Sequence, residues 1–260
     1  MQTVHDLKQA ATETEVLCYK KCNSDVRGVN YMKYGQFCPI AKATEILGEK
    51  WTILIIRELL MGGSRFNEMQ RGLGDISPAL LTSRLKSLEE QGIVVRRKMP
   101  GQKGFEYFPT SACQSLMPIL FQLGEWGLIW AKDNVLDEEV DPELLMLYLE
   151  RSIDPSQIPG ANGVIRFRFI DLKDQQDFWL LVKERTVDLC ITDPGRDVDV
   201  YFQCTLCTMK NVWMGERSYK DALSAGDLQV TGDPALTRNI RSWLKPSIFE
   251  QSAREPVTAD

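Results

Sequence analysis

Ile76-Ser-Pro-Ala-Leu-Leu-Thr-Ser-Arg-Leu-Lys-Ser-Leu-Glu-Glu-Gln-Gly92 carries helix signals at both of its ends. Ser77 is a good N-cap, Pro78 suits the first helical position, where its missing N–H costs nothing, and Gly92 can close the C-terminus. Leu81, Leu85 and Leu88 recur at helical spacing on one face. The opposite face holds Ala79, Thr82, Ser83 and Lys86, which are short or cationic and have nothing to bury. A helix seated by a leucine stripe and presenting small polar groups outward suits the major groove of DNA. An ordinary amphipathic helix with a solvated face fits the same pattern, so the neighbouring segments decide.

Upstream, two helical patterns, Pro39–Leu47 and Lys50–Met61, are split by Gly48. Ile40, Ala43, Ile46 and Leu47 are expected on one face of the first, and Trp51, Leu54, Ile55 and Leu59 on one face of the second. Gly62-Gly63 ends the pair. Ser64 is expected to cap a short helix, Arg65–Leu73, and Gly74-Asp75 turns the chain into Ser77. Helix, turn and helix therefore follow in order. Downstream, Ile93-Val-Val-Arg-Arg-Lys-Met99 is β-branched and then basic, Pro100–Gly104 has turn chemistry, and Phe105-Glu-Tyr-Phe108 alternates again. The expectation is a two-stranded wing whose Arg96, Arg97, Lys98 and Lys103 lie along a phosphate backbone.

Several of these stretches occur together: Phe37-Cys-Pro-Ile-Ala, Gly48-Glu-Lys-Trp-Thr-Ile-Leu-Ile-Ile-Arg-Glu-Leu-Leu, Arg65-Phe-Asn-Glu-Met-Gln-Arg, Ile76-Ser-Pro, Leu81-Thr-Ser-Arg-Leu and Gly92-Ile-Val. In that combination the chain resembles the HxlR-type transcriptional regulators over roughly residues 34–132. The resemblance implies a cytoplasmic winged helix-turn-helix protein that binds a pseudo-palindromic operator in double-stranded DNA as a homodimer. It implies no cofactor. By helical phase, Ala79, Thr82, Ser83 and Lys86 would meet bases or groove walls, Ser77 and Arg65 the phosphates, and Arg96, Lys98 and Lys103 the adjacent backbone. Leu116, Leu120, Leu123 and Trp126 or Trp130, in Thr110–Lys132, would form a dimer seam or pack on their own core. The resemblance also raises Cys38 as a redox sensor, against the simpler reading of a small buried residue beside Pro39.

Composition sets the remaining bounds. The seven cysteines are an odd number, which argues against a disulfide framework. Cys204-x-x-Cys207 lacks a second such pair, and the single histidine, His5, lies far away in sequence, so no metal site is expected. No stretch approaches the length of a membrane span. With no GxGxxG, phosphate loop or GxSxG, the usual enzyme constellations are missing, and no catalytic residue is assigned. Charge is divided: residues 1–132 hold 17 Lys+Arg against 13 Asp+Glu, a net +4, and residues 133–260 hold 14 against 23, a net −9. One half suits DNA and the other does not.

Residues 1–33 are weakly patterned, and translation starting at Met32 or a flexible extension would explain them. An acidic connector at 133–142 precedes a second domain at 143–246, followed by a tail at 247–260. Glu143–Ile153 reads as a helix. Gly163–Ile170 alternates, with Ile165, Phe167 and Phe169 facing one way and Arg166 and Arg168 the other. Strands are expected at Phe178–Lys183, Val187–Ile191, Val198–Gln203 and Leu228–Thr231, and helices at Thr205–Met214, Tyr219–Ala225 and Pro234–Leu244. The fold class is α+β: a mostly helical winged domain, then a small α+β domain with an antiparallel-rich sheet. Through Ala225-Gly-Asp-Leu-Gln-Val-Thr-Gly-Asp233 and the helix carrying Trp243, the second domain resembles the sterol carrier protein type two family. That resemblance implies an apolar tunnel and an apolar small-molecule effector, with Phe167, Phe169, Trp179, Leu206, Met209, Val212, Trp213 and Leu223 as lining residues. The same residues also read as plain core. The alternative function is a lipid or acyl carrier whose winged part serves interaction.

Overall fold

A computed structural model describes residues 33–99, 101, 104–131 and 140–254. The 1–33 extension (but for residue 33), Lys103, and most of the 133–142 connector lie outside the described residues. The fold is α+β and divides into two compact units between residues 120 and 121.

The first unit runs α1 (Pro39–Leu47), α2 (Thr52–Leu60), α3 (Phe66–Leu73), α4 (Pro78–Glu90), β1 (Val94–Lys98), β2 (Phe105–Pro109) and α5 (Ser111–Gln114), and it contains the start of α6 (Met117–Trp130). Strands β1 and β2 pair antiparallel, with Arg96 opposite Tyr107. The core joins Ile55, Ile56 and Leu59 of α2 to Met69 and Leu73, to the α4 leucines, and to Ile93, Val94 and Cys113. Burial lifts the Cys113 thiol to about 12, so it behaves as an inert apolar group.

Two helices present different faces from those expected. Trp51 takes a left-handed φ of 77°, so α2 starts at Thr52. The helix then buries Thr52, Ile55, Ile56, Glu58 and Leu59, while Leu54 is exposed. Glu58 is tolerated inside because Arg57 reaches its carboxylate at 2.8 Å and also donates to the Gly72 carbonyl at 2.9 Å. In α1 no residue is fully buried: only Ile46 and Leu47, at its C-terminal end, lean on the core, and Ile40 is solvent-exposed.

The second unit holds α7 (Pro142–Ser152), β3 (Asn162–Phe169), β4 (Asp177–Lys183), β5 (Thr186–Cys190), β6 (Val200–Cys204), α8 (Leu206–Met214), α9 (Tyr219–Ala225), β7 (Leu228–Gly232), α10 (Pro234–Thr237), α11 (Ile240–Trp243) and α12 (Glu250–Arg254). Its sheet has the order β5-β4-β3-β6-β7; every pair is antiparallel except β3 with β6. The inner face is aromatic. Phe167 stacks on Phe202 at 4.6 Å between centroids, and the buried Trp243 meets Phe202 edge-on while its Nε1 donates to the Leu236 carbonyl. The helix expected over Pro234–Leu244 is two short turns broken at Asn239. That break lets Leu236, Ile240, Trp243 and Leu244 all enter the core. Packing continues past residue 246: Ser247 N–H donates to the Trp213 carbonyl, and Phe249 stacks on Phe121.

On the outer face, Asp177 accepts hydrogen bonds from Arg166 and Arg168, each at 2.9 Å. Partial burial alone would raise the Asp177 carboxyl, but those two guanidiniums outweigh it and hold it below its ordinary value. Gly232, at φ 129°, lies so close to the Asp199 carbonyl that any Cβ would collide with backbone.

A Cβ added at Gly72 would run into the buried Glu58 carboxylate. Gly72→Ala is therefore expected to destabilise the first unit by about 1–3 kcal/mol despite the better helix propensity of alanine. Urea unfolding followed by circular dichroism checks this, and equal or greater stability of the variant would contradict the packing described.

Candidate nucleic-acid interface

Helix α4 is held in one rotational setting. Ser77 Oγ accepts from Leu80 N–H at 3.3 Å, Pro78 occupies the first turn, and Leu81, Leu85 and Leu88 are buried. Arg84 adds a lock that the leucine pattern alone did not reveal. Its Nε donates to the Lys50 carbonyl at 3.1 Å and its guanidinium pairs with Glu49, tying α4 to the turn before α2. A charged residue between two buried leucines was the available signal; its partner 34 residues away was not visible.

With that setting, Ala79, Thr82, Ser83 and Lys86 are all exposed on one side of α4. Thr82 Oγ1 donates to the Pro78 carbonyl at 2.8 Å, so its hydroxyl proton is committed. What Thr82 offers outward is a pair of acceptor lone pairs and a methyl group, suited to a base amino group or a thymine methyl. Lys86 is loosely paired with Glu90 at 3.7 Å and remains 73% exposed, an i,i+4 contact of a few tenths of a kcal/mol that a phosphate can displace.

The wing is organised around aromatic rings. Arg96 lies over Phe105 at 4.5 Å from the centroid and faces Glu89 at 3.5 Å, while Arg97 lies over Phe108 at 5.2 Å. Both guanidiniums are thereby steadied without losing charge. Lys98 is exposed and has no ion-pair partner among the described residues. Arg65 is more engaged than the sequence suggested. It caps α3, sits 3.8 Å from Glu106 and 4.0 Å from Glu68, and bridges to β2, where Tyr107 N–H donates to the Ser64 carbonyl. Arg65 thus fastens the wing to α3 and is half exposed.

Cys38 is the N-cap residue of α1. Its sulfur completes no full capping hydrogen bond, but the N–H groups of Ala41 and Ile40 facing it hold the thiol below its ordinary value. The exposed side of α6 carries Ile119, Leu123, Trp126, Ile129 and Trp130, whereas Leu116 and Leu120 pack on the core of the first unit.

Of the residues expected to line an apolar tunnel, Phe167, Phe169, Leu206, Met209, Val212 and Trp213 share the core of the second unit. Trp213 donates from Nε1 to Ser152 Oγ at 2.9 Å and stacks on Tyr148. Trp179 falls elsewhere, on the outer sheet face with Val164 and Leu181, because β4 alternates and Phe178 and Leu180 take the inward positions. Leu223 is 40% exposed beside a surface groove that also involves Tyr219 and Ile240.

A leucine-seated helix with a small polar outer face, preceded by a helix and turn and followed by a cation-bearing hairpin, defines a winged helix-turn-helix of the DNA-binding class. Comparison with known proteins narrows the class. Residues 46–135 match the HxlR-like helix-turn-helix family and residues 145–245 the SCP-2 sterol transfer family. A protein named as an uncharacterized HTH-type transcriptional regulator, YvaP of Bacillus subtilis (strain 168), is 36% identical over 108 residues, which are 41% of this chain and 100% of that protein. Another, sll1512 of Synechocystis sp., is 34% identical over 101 residues, covering 38% of this chain and 75% of its own. Among solved structures, the reduced form of the transcriptional regulator YodB from B. subtilis is 30% identical, covers 38% of this chain and 98% of its own, and gives a TM-score of 0.33. The chain belongs to the HxlR-like helix-turn-helix family of transcriptional regulators and carries an SCP-2-like segment in addition.

Lys86→Glu sets a carboxylate where α4 is free to meet DNA. Operator affinity is expected to fall at least about tenfold, or about 1.4 kcal/mol, the size of a lost base contact. Fluorescence anisotropy with labelled operator measures it; undiminished binding by the folded variant would mean that another face of α4 meets the duplex.

Proposed function

We propose that this protein is a cytoplasmic regulator that binds a pseudo-palindromic operator as a homodimer. The observation that carries this reading is the outer face of α4: four adjacent small or cationic residues exposed on a helix whose other side is locked by leucines and Arg84. Ala79, Thr82, Ser83 and Lys86 contact base edges and groove walls, Ser77 the phosphate at the helix start, and Arg65, Arg96 and Lys98 the flanking backbone. The names of the relatives as transcriptional regulators support a role without catalysis. No helix among the described residues is long and apolar enough to cross a membrane.

Dimerisation uses the exposed apolar side of α6, where Leu123, Trp126 and Trp130 offer the aromatic-rich surface that interface centres favour. Cys38, poised at a helix N-terminus with a lowered thiol value, is the residue on which an oxidant would act. The SCP-2-like segment responds to an apolar small molecule whose differential affinity for two states shifts DNA binding. Trp213 is so tied to Ser152 and Tyr148 that truncating it would register chiefly as lost stability, so the ligand test belongs on the intact chain. The SCP-2 match also favours a carrier reading. Co-purified lipid together with an absence of salt-dependent DNA binding would select it.

Two outcomes are expected. Neutralising Arg97 and Lys98 to Gln should weaken specific and non-specific DNA alike and flatten the salt slope by about one to two units, since phosphate contacts release counterions and carry little sequence information. Binding isotherms between 50 and 200 mM salt, a range over which one to two slope units amount to about 4- to 16-fold, read this out. Trp126→Lys should convert the dimer to monomer in sedimentation velocity and lower operator affinity with it; a dimer that persists would move the interface elsewhere.

A further inference from the structure

The turn between β4 and β5 borders an open groove of about 740 Å³. Lys183, Arg185 and Arg196 line it, with Glu184 as the acidic member of the lining. All three cations are exposed, and none has an ion-pair partner among the described residues. This is unusual placement in the half of the chain that carries a net −9. Three like charges brought to one concavity repel each other, and an anion relieves that repulsion.

The backbone adds an independent sign. Among the described residues, the non-glycine positions at positive φ are Trp51, Ala161 and Glu184, at 77°, 49° and 53°. Two of the three, Ala161 and Glu184, line this groove. A two-residue hairpin normally places glycine or asparagine at such a position. Here Glu184-Arg185 occupies the turn, so the chain keeps charged side chains there at the expense of backbone ease. Local strain held in place by surrounding structure collects at binding sites.

We propose that this groove binds a phosphate-bearing small molecule. The lining charge sums from three cations and one carboxylate to +2, matching a phosphate dianion. Two guanidinium forks give paired N–H donors for phosphate oxygens, and Lys183 adds a point charge. The acidic surroundings disfavour a long polyanion, so the ligand is small rather than a stretch of nucleic acid. The groove's lining residues all belong to the second unit, and none of them is on α4.

Isothermal titration of the full chain with inorganic phosphate tests the proposal. Wild type is expected to bind one phosphate saturably, Arg185→Gln/Arg196→Gln at least tenfold more weakly, and Glu184→Gln more tightly, because that change removes the one repelling carboxylate. Operator affinity of the double variant should equal that of wild type. Absence of saturable phosphate binding, or equal binding by the double variant, overturns the site. A parallel loss of operator affinity overturns the small-molecule reading and makes the groove part of the DNA contact, whereas failure of operator binding in wild type itself concerns only the regulator reading.

Discussion

Burial of Leu81, Leu85 and Leu88 against α2 and α3 is the constraint on which the interface rests. Each leucine contributes about 1.5–3 kcal/mol by leaving water, and together they allow α4 a single rotational setting. Arg84, bound to the Lys50 carbonyl and Glu49, adds direction to that setting, since a leucine stripe tolerates small rotations and a guanidinium fork does not. The outer face is then defined by subtraction. It holds Ala79, Thr82, Ser83 and Lys86, which the buried leucines leave exposed. The serine cap and the proline of the first turn fix where α4 begins, so its exposed face and the core of the first unit are two sides of the same packing.

The second unit solves a different problem. Its sheet has an inner face closed by stacked aromatics and an outer face where Arg166, Arg168 and Asp177 form a charged ladder above Trp179. Opposite charges across neighbouring strands are favourable, and the cation lies over the indole, so Trp179 is shielded without joining the main core. Asp199 links the strands from the side, its carboxylate accepting Val164 N–H while its carbonyl crowds Gly232. These contacts pin the parallel β3–β6 pair that the rest of the sheet is built around. Residues 133–260 carry a net −9 against +4 for residues 1–132, so the two halves of the chain differ in the partners their charge favours.

Much was legible in the residues because it depends on near neighbours in the chain. The Ser77 cap and the leucine period of α4, the basic wing strand and the strict alternation of Ile165, Phe167 and Phe169 against Arg166 and Arg168 are local signals, and each appears where it was expected, whereas α3 is capped by Arg65 rather than by Ser64. Family-level character was likewise carried by short motifs in register, and the comparisons bear it out over residues 46–135 and 145–245.

Only tertiary structure decided which residues meet across distance. Glu58 is buried beside Arg57, whose guanidinium pairs with it and also donates to the Gly72 carbonyl, and Leu54 is exposed because Thr52, Ile55, Ile56 and Leu59 take the inward face of α2. Arg65 joins the wing through Glu106, and Trp179 turns away from Phe167 because pairing with β3 fixes the phase of β4. Hydrophobicity says that a side chain seeks burial; it does not say against which partner. Periodicity is a property of the chain, while choice of face, ion-pair partner and backbone strain belong to the packed molecule.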